Sequence, residues 1–515
     1  MNASGALDLL VVTPPTRLEV YQGLSGKFSA LETPVWAGLI ADFVRRNGYT
    51  VQMLDAETEG LTHEQTAQRI AETDAKLTLY AIFGQQPSAS TQCMPGGRKV
   101  ALMANKLTDR PSLVTGPHPS SLPARTLREE PYTYVCQGEG PYTVLGLLDH
   151  LHGKCALKDI PGLWYAEDDT VHYNKSAPLI EDLSATLPAQ AWDLLDMTRY
   201  RAHNWQALDQ LDNRQHYASV QTSLGCPYHC SFCCINAPFT RPGIRFWNPD
   251  TVIAQIDTLV EKYGVKIIKI PDEMFVLNRD HVLGICDRLI ERNYDLNIWA
   301  YARVDTIKPD FLDKLRRAGI VWMAVGVESA SKFVRDGVDK GRFGDADIKR
   351  VLQMVRDNGL YTIANYIFGL PDDDHDSMRR TLDLALDLNA EWANFYATMA
   401  YPGSALHPLA AEKGWPLPED PGGPGWIGYS QHAYDTMPLP TDHISAIEVL
   451  KFRDQAFDEY FGAAPFQSLI KDQFGTDAVG HIQDMLKGRL SRRHHDEPDY
   501  YDRLVARRKA ATGRS

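Results

Sequence analysis

The sequence predicts an α/β protein in three parts: a doubly wound, Rossmann-like parallel sheet, a partial βα barrel of TIM type, and a small helical C-terminal region. Two observations carry that prediction. Short apolar or β-branched runs alternate with helical stretches in two separate regions of the chain, which is the pattern parallel βαβ units leave in a sequence. A polar, proline-containing stretch from 153 to 215 separates the two regions, and a proline- and glycine-rich stretch beyond Tyr401 ends the second. At 515 residues the chain exceeds one ordinary core, as several domains require.

The first region, residues 1–152, offers five strands in order: "LDLLVV", "YTVQMLD", "LTLYAIF", "PSLVTG" and "YTYVCQG". Ligands of open parallel sheets sit beyond the carboxyl ends of the strands, so the loops "DAETEG", "GQQPSAS", "TGPHPSSLP" and "QGEGPY" are candidates. Their Gly, Pro and small polar residues are also what ordinary turns favour. Residues 153–215 read as an interdomain linker wrapped over the surface. Residues 216–405 offer six more strands, from "YASVQTSLGC" through "VKIIKI", "LNIWAYA", "IVWMAVGVE" and "YTIANYIFG" to "WANFYATMA". Barrel chemistry is expected at the carboxyl ends of such strands. Residues 406–515 include "WPLPEDPGGPGW", which excludes regular structure, followed by helical spacing in "DHISAIEVLKFRDQAFDEYF". Segment 416–425 and the helices after it are expected to act as lid and substrate wall, and "RRHHDE" reads as surface charge rather than a metal site.

Composition excludes several classes. The hydrophobic fraction of 44% and charged fraction of 23% suit soluble domains, and no run approaches the length of a membrane span. The N-terminal "MNASGALDLLVVTPP" has no basic region before its apolar run and does not read as a signal peptide. A formal charge of −13 argues against a broad phosphate-binding surface, so no nucleic-acid partner is expected. Cys93, Cys136, Cys155 and Cys286 are scattered, which suits reduced thiols in a cytoplasmic protein.

The chemistry concentrates in "LGCPYHCSFCC", which leaves the first barrel strand. Cys226, Cys230 and Cys233 follow C-x-x-x-C-x-x-C spacing, so one loop aims three thiolates at one centre. Three sulfurs suit an iron–sulfur cluster with one iron left open. The alternative is a structural zinc, with His229 or Cys234 as fourth ligand. Cys234, adjacent to Cys233, cannot readily serve the same cluster and reads as packed.

"CPYHCSFC", with Phe232 ahead of the third cysteine, resembles the signature of the radical S-adenosylmethionine (SAM) superfamily. The resemblance implies a 4Fe-4S cluster whose open iron is chelated by the amino and carboxylate groups of SAM. Reductive cleavage then gives methionine and a 5′-deoxyadenosyl radical. It assigns Asp272 and Glu273 in "IKIPDEMF" to the SAM ammonium, through charge-assisted hydrogen bonds. Arg303 in "YARVD" falls to the SAM carboxylate, Glu328 and Ser329 in "GVESAS" to the ribose, and Gly369 and Pro371 in "IFGLP" to adenine. Each has a plain structural reading too: Arg303 and Glu328 as an ion pair, Gly369 as a strand terminator.

The order of domains, over about residues 5–405, resembles the cobalamin-binding radical SAM class. Cobalamin domains that ligate cobalt through histidine carry D-x-H-x-x-G. Here the stretch is Asp55-Ala56-Glu57-Thr58-Glu59-Gly60, so cobalamin is expected without histidine ligation. Gly84, Gln85 and Gln86 are then candidates for the lower cobalt face, and Gly116, His118, Glu139 and Gly140 for the nucleotide tail. His118 reads equally well as a satisfied loop histidine. The implied activity is that of a class B-like radical SAM methyltransferase: one SAM methylates cobalamin, a second supplies the radical, and an unactivated carbon of a small-molecule substrate receives the methyl group. A flavodoxin or ferredoxin is the implied reductant. A non-methylating cyclase or rearrangement enzyme fits the same motifs. A tRNA methylthiotransferase would add a second cysteine triad and a basic RNA module, and a cobalamin sensor would leave the cysteine loop without a role. No catalytic side chain and no particular substrate is legible.

Overall fold

The five apolar runs of the first region form β1 (Leu9–Thr13), β2 (Val51–Asp55), β3 (Leu77–Ala81), β4 (Ser112–Thr115) and β5 (Tyr134–Cys136). The computed structural model describes residues 7–84, 89–341 and 343–512. Every residue of β3 is buried, as a strand covered by helices on both faces requires. The five strands are parallel in the order β2-β1-β3-β4-β5. Chain direction across the sheet reverses between β1 and β3, which opens a crevice beyond their carboxyl ends.

Two further strands extend this sheet from the stretch that reads as a linker. β6 (Leu163–Glu167) pairs antiparallel with β5, and β7 (Thr170–Tyr173) pairs antiparallel with β6. Between them Asp168 and Asp169 have φ of 47° and 60°, the left-handed pair that a two-residue hairpin needs. Part of the rest of that stretch is buried rather than laid over the surface. Tyr200, Ala202 and Trp205 are buried in the core that both regions share, and Trp205 meets Trp299 and Trp322 edge-on at 5.1 and 5.4 Å.

The second region begins with β8 (Tyr217–Ser219), followed by a short antiparallel ribbon of β9 (Ser223–Leu224) and β10 (Arg245–Phe246). β11 (Ile267–Ile270), β12 (Asn297–Arg303), β13 (Ile320–Glu328), β14 (Tyr361–Phe368) and β15 (Trp392–Ala397) complete a parallel sheet ordered β8-β11-β12-β13-β14-β15. Among the described residues β8 and β15 do not pair, so the barrel is open on one side. Its helices are punctuated locally. The helix Pro249–Tyr263, for example, starts at Asn248, which accepts from the Thr251 amide, and stops at Gly264 in the left-handed region.

Helices Ala446–Gly462, Ala464–Phe474 and Thr476–Lys487 close the C-terminal part. Trp392 of β15 packs on Phe461 of the first of them at 4.9 Å. The proline- and glycine-rich segment touches both halves: Trp426 meets the His118 ring at 4.4 Å and the Arg125 guanidinium at 4.7 Å, while Leu417 packs in a cluster with Ala400, Leu406 and Phe232. The "RRHHDE" stretch is not all surface charge either, since Arg492 and His494 are buried and Arg492 pairs with Asp454 at 2.9 Å. Among the described residues no helix is long and apolar enough to cross a membrane.

Candidate active site

Both sheets direct their carboxyl ends into one cavity of about 460 Å³. Thr13, Asp55 and Ala81 line it from the ends of β1, β2 and β3, and Arg303, Glu328 and Tyr396 line it from the barrel strands. The crevice at the β1/β3 reversal and the mouth of the barrel are therefore one space.

The cysteine loop spans this space. The ribbon β9–β10 clasps its base, and Gly225, at φ 90°, brings its backbone where a Cβ would stand 2.5 Å from the Gly243 carbonyl. Asn236 bridges the loop, donating to the Cys226 carbonyl at 3.0 Å and accepting from its amide at 3.3 Å. Asp272 pins the approach, accepting from the Thr222 amide at 2.8 Å and the Ser223 hydroxyl at 2.7 Å. Cys226, Cys230 and Cys233 all line the cavity. Burial pushes the Cys226 thiol up to about 11 and the Cys233 thiol well above its ordinary value. Such thiols ionise only against strong positive charge, which a metal centre supplies. A structural zinc would need a fourth protein ligand beside the three sulfurs. A four-iron cube keeps its thiolates apart, and three cavity-facing sulfurs fit it.

The remaining residues expected at SAM divide into two groups. Glu273, Arg303 and Glu328 line the cavity. Burial raises the Glu273 carboxyl to about 8, with the neighbouring Asp272 charge adding to the shift and Lys269 opposing it. Arg303 is gripped by Asp305 at 3.0 and 3.2 Å, lies 4.0 Å over the Tyr228 ring, and directs Nη1 to within 3.5 Å of the Cys230 sulfur. Glu328 is paired with Lys340 and sits at φ 64°, a strained conformation for this residue type at the end of a strand.

Asp272, Ser329, Gly369 and Pro371 are not on the cavity wall. Asp272 spends its oxygens on Thr222 and Ser223. Ser329 turns to the Thr381 hydroxyl at 3.2 Å and the Ser331 amide at 3.1 Å. Gly369, at φ 76°, lets Val449 approach to 2.5 Å of where a Cβ would be, and Pro371 is buried beside it, its carbonyl accepting from the Asp442 amide at 3.3 Å. Asn365 and Ile367 of β14 face the cavity in their place, together with Lys340, Tyr301 and Tyr396. The strand residues among them were not legible because strands buried on both faces do not announce which side is inward.

On the other sheet, Glu57 is committed to the loop after β1. It accepts from the Thr16 and Arg17 amides at 2.7 and 2.9 Å, which removes it as a cobalt ligand. Gly84 lines the cavity at φ 71°, where a Cβ would stand 2.6 Å from that of Ala89. Gln85 and Gln86 lie outside the described residues. Beside Gly84, Phe83 stacks on Trp36 at 5.4 Å and 9°, a flat apolar wall suited to a macrocycle. The four residues expected along a nucleotide tail, Gly116, His118, Glu139 and Gly140, do not line this cavity, and each makes close local contacts. Gly116 admits the Ile82 carbonyl to 2.1 Å of a would-be Cβ. His118 is 1% exposed, bonds Thr91 at 3.2 Å, and is pushed down to about 3 by burial and by Arg125. Glu139 is buried in an ion pair with Arg245 at 2.7 Å and accepts from the Ile180 amide at 2.8 Å. Gly140, at φ 105°, starts the helix Pro141–Leu151 beside Ile40.

Against known proteins, the chain matches the B12 binding domain over residues 21–148 and the Radical SAM superfamily over residues 220–385. It is 28% identical over 404 residues to an uncharacterized methyltransferase of Pyrococcus horikoshii, covering 78% of this chain and 82% of that protein. It is 27% identical over 391 residues to the anaerobic magnesium-protoporphyrin IX monomethyl ester cyclase of Rubrivivax gelatinosus, covering 74% of this chain and 66% of that one, just under two thirds. Its fold is similar to the radical SAM methyltransferase TsrM of Kitasatospora setae, solved with cobalamin and a [4Fe-4S] cluster, at TM-score 0.62, 18% identity and coverage of 80% and 75%. It is also similar to the cobalamin-dependent radical enzyme OxsB, solved with aqua-cobalamin, at TM-score 0.68, 14% identity and coverage of 98% and 81%.

Proposed function

Because the chain belongs to the cobalamin-binding radical SAM superfamily, we propose that it transfers a methyl group from SAM to an unactivated carbon of a small molecule. The observation that carries this reading is the single cavity shared by the carboxyl ends of both sheets, with the cysteine loop on one wall and the Gly84 loop on the other. When bound, the cluster with SAM supplies a carbon-centred radical, and cobalamin supplies a transferable methyl group.

The chain's own residues bind, orient and exclude water. Cys226, Cys230 and Cys233 hold the cluster. Arg303, kept rigid by Asp305 and Tyr228, receives the SAM carboxylate, and Glu273 accepts the ammonium. Glu328, oriented by Lys340, faces the ribose. Trp36 and Phe83 give the corrin a flat apolar floor. A cytoplasmic setting, with flavodoxin or ferredoxin as electron donor, suits cysteines that are all free among the described residues. The formal charge of −13 favours a small substrate over nucleic acid.

The likeness to a ring cyclase supports a second reading, radical cyclisation without methylation. Anaerobic incubation of the reconstituted protein with methyl-labelled SAM, dithionite and a small-molecule extract separates the two. Label in a new product supports methyl transfer, whereas deoxyadenosine release with an unlabelled new product overturns it in favour of cyclisation.

A further inference from the structure

A second cavity, of about 430 Å³, adjoins the first. Tyr21, Tyr301 and Tyr396 line both, so three phenol rings stand between two chambers. The second chamber is bounded by Lys269 of β11, by Trp299 of β12 and by Trp392 of β15. Residues of the N-terminal segment, such as Leu24 and Phe28, and of the C-terminal helices, such as Lys451 and Met485, complete its wall. None of the residues assigned to the cluster, SAM or cobalamin lines it.

Its wall has two characters. Trp205, Trp299, Trp392 and Phe457 present broad aromatic surface. The charges, by contrast, do not balance. Lys269 is neutralised by Glu32 at 2.7 Å and Arg489 by Asp458 at 2.6 Å. Arg453, however, pairs with the carboxylate of Asp454 at 2.8 Å, and Arg492, buried behind the wall, claims that same carboxylate at 2.9 Å. Lys451, exposed at the chamber, has no ion pair among the described residues. His432 reports the same field: burial, Arg453 and Arg492 push it down to about 3, so it stays neutral. A chamber with surplus positive charge repels a sulfonium, which leaves SAM to the first cavity where Glu273 waits.

We propose that the second chamber is the substrate site, and that the substrate is an aromatic anion. Its anionic group faces Lys451 and Arg453, and its ring lies against the tryptophans. Its reacting carbon passes among the three tyrosines into the first cavity. The last clause rests on the methyl-transfer reading; the ligand class does not. The test is calorimetric titration of the anaerobically reconstituted full chain, at low salt, with 2-naphthoate and with 2-naphthylmethylammonium. Naphthoate is expected to bind about tenfold more tightly than the amine, and K451E to weaken naphthoate about fivefold. C226A, which lacks a cluster ligand, should bind naphthoate like the parent, because the chamber contains no cluster residue. Equal affinity for the two probes, or a K451E variant that binds naphthoate unchanged, overturns the proposal. Charge selectivity in a protein that transfers no labelled methyl would sink the methyl-transfer reading alone.

Discussion

Arg303 holds three neighbours at once, the Asp305 carboxylate, the Tyr228 ring and the Cys230 thiol, and a guanidinium can do so because it is flat and forked. Lysine keeps the charge but loses the fork. R303K is therefore expected to weaken SAM binding by about tenfold in equilibrium dialysis while leaving the iron content of the protein unchanged. Alanine at Cys226, Cys230 or Cys233 is expected to reduce both iron content and deoxyadenosine release to background, and C234A to preserve both. The cysteines stood out by their spacing, and Glu273, Arg303 and Glu328 by the resemblance of their strand-end stretches to a known family; all six line the cavity. The glycines were legible as tight places but not as to what fills them. Gly116 is filled by the Ile82 carbonyl and Gly369 by Val449, neither of them a ligand. Tyr301 and Tyr396 carried no signal, since an apolar strand does not show its inward face; Lys340 lies in a loop after the helix Lys332–Gly337, where a lysine is unremarkable.

Elements depend on such places. At Gly369 an added methyl meets Val449 of the helix Ala446–Gly462, and φ 76° is strained for any L side chain. G369A is expected to cost about 1–3 kcal/mol in urea denaturation. V449A in the same background should recover the contact part, giving a coupling of about 1 kcal/mol in a double-mutant cycle. The Arg245–Glu139 pair joins β10 to the loop after β5 with little exposure on either side. Removing one partner strands the other charge, so E139A is expected to cost about 3–5 kcal/mol by the same measurement. Eleven parallel strands were legible from their apolar runs, whereas the hairpin of β6 and β7 was not. "LWYAEDDTVHY" alternates only weakly, and its turn depends on two aspartates adopting positive φ, which their type permits without demanding.

At the scale of the molecule, buried titratable groups set the response to acid. Burial pushes His118 and His432 down to about 3, and His281, His481 and His494 down to about 4. Burial also raises Asp55, Asp272 and Asp373 to about 6. As pH falls from 6.5 toward 4 the unfolded chain protonates the five histidines and the native chain does not, which destabilises the fold. Over the same range the three carboxyls protonate first in the native state, which opposes the loss. Glu273, raised to about 8, opposes the loss in the same way, so the balance is five histidines against four carboxyls and the urea midpoint is expected to be lower at pH 5 than at pH 7; a higher midpoint at pH 5 would refute this balance. The division into two α/β halves was legible because alternation survives in both. The shared cavity was not, because it depends on how the halves face one another. One contact between them reaches furthest. β10, which clasps the cysteine loop, carries the arginine that grips Glu139 on the opposite half. A chimera that grafts a foreign first half onto this barrel would remove that foothold, and metal assembly would fail in a part of the protein the graft never touched.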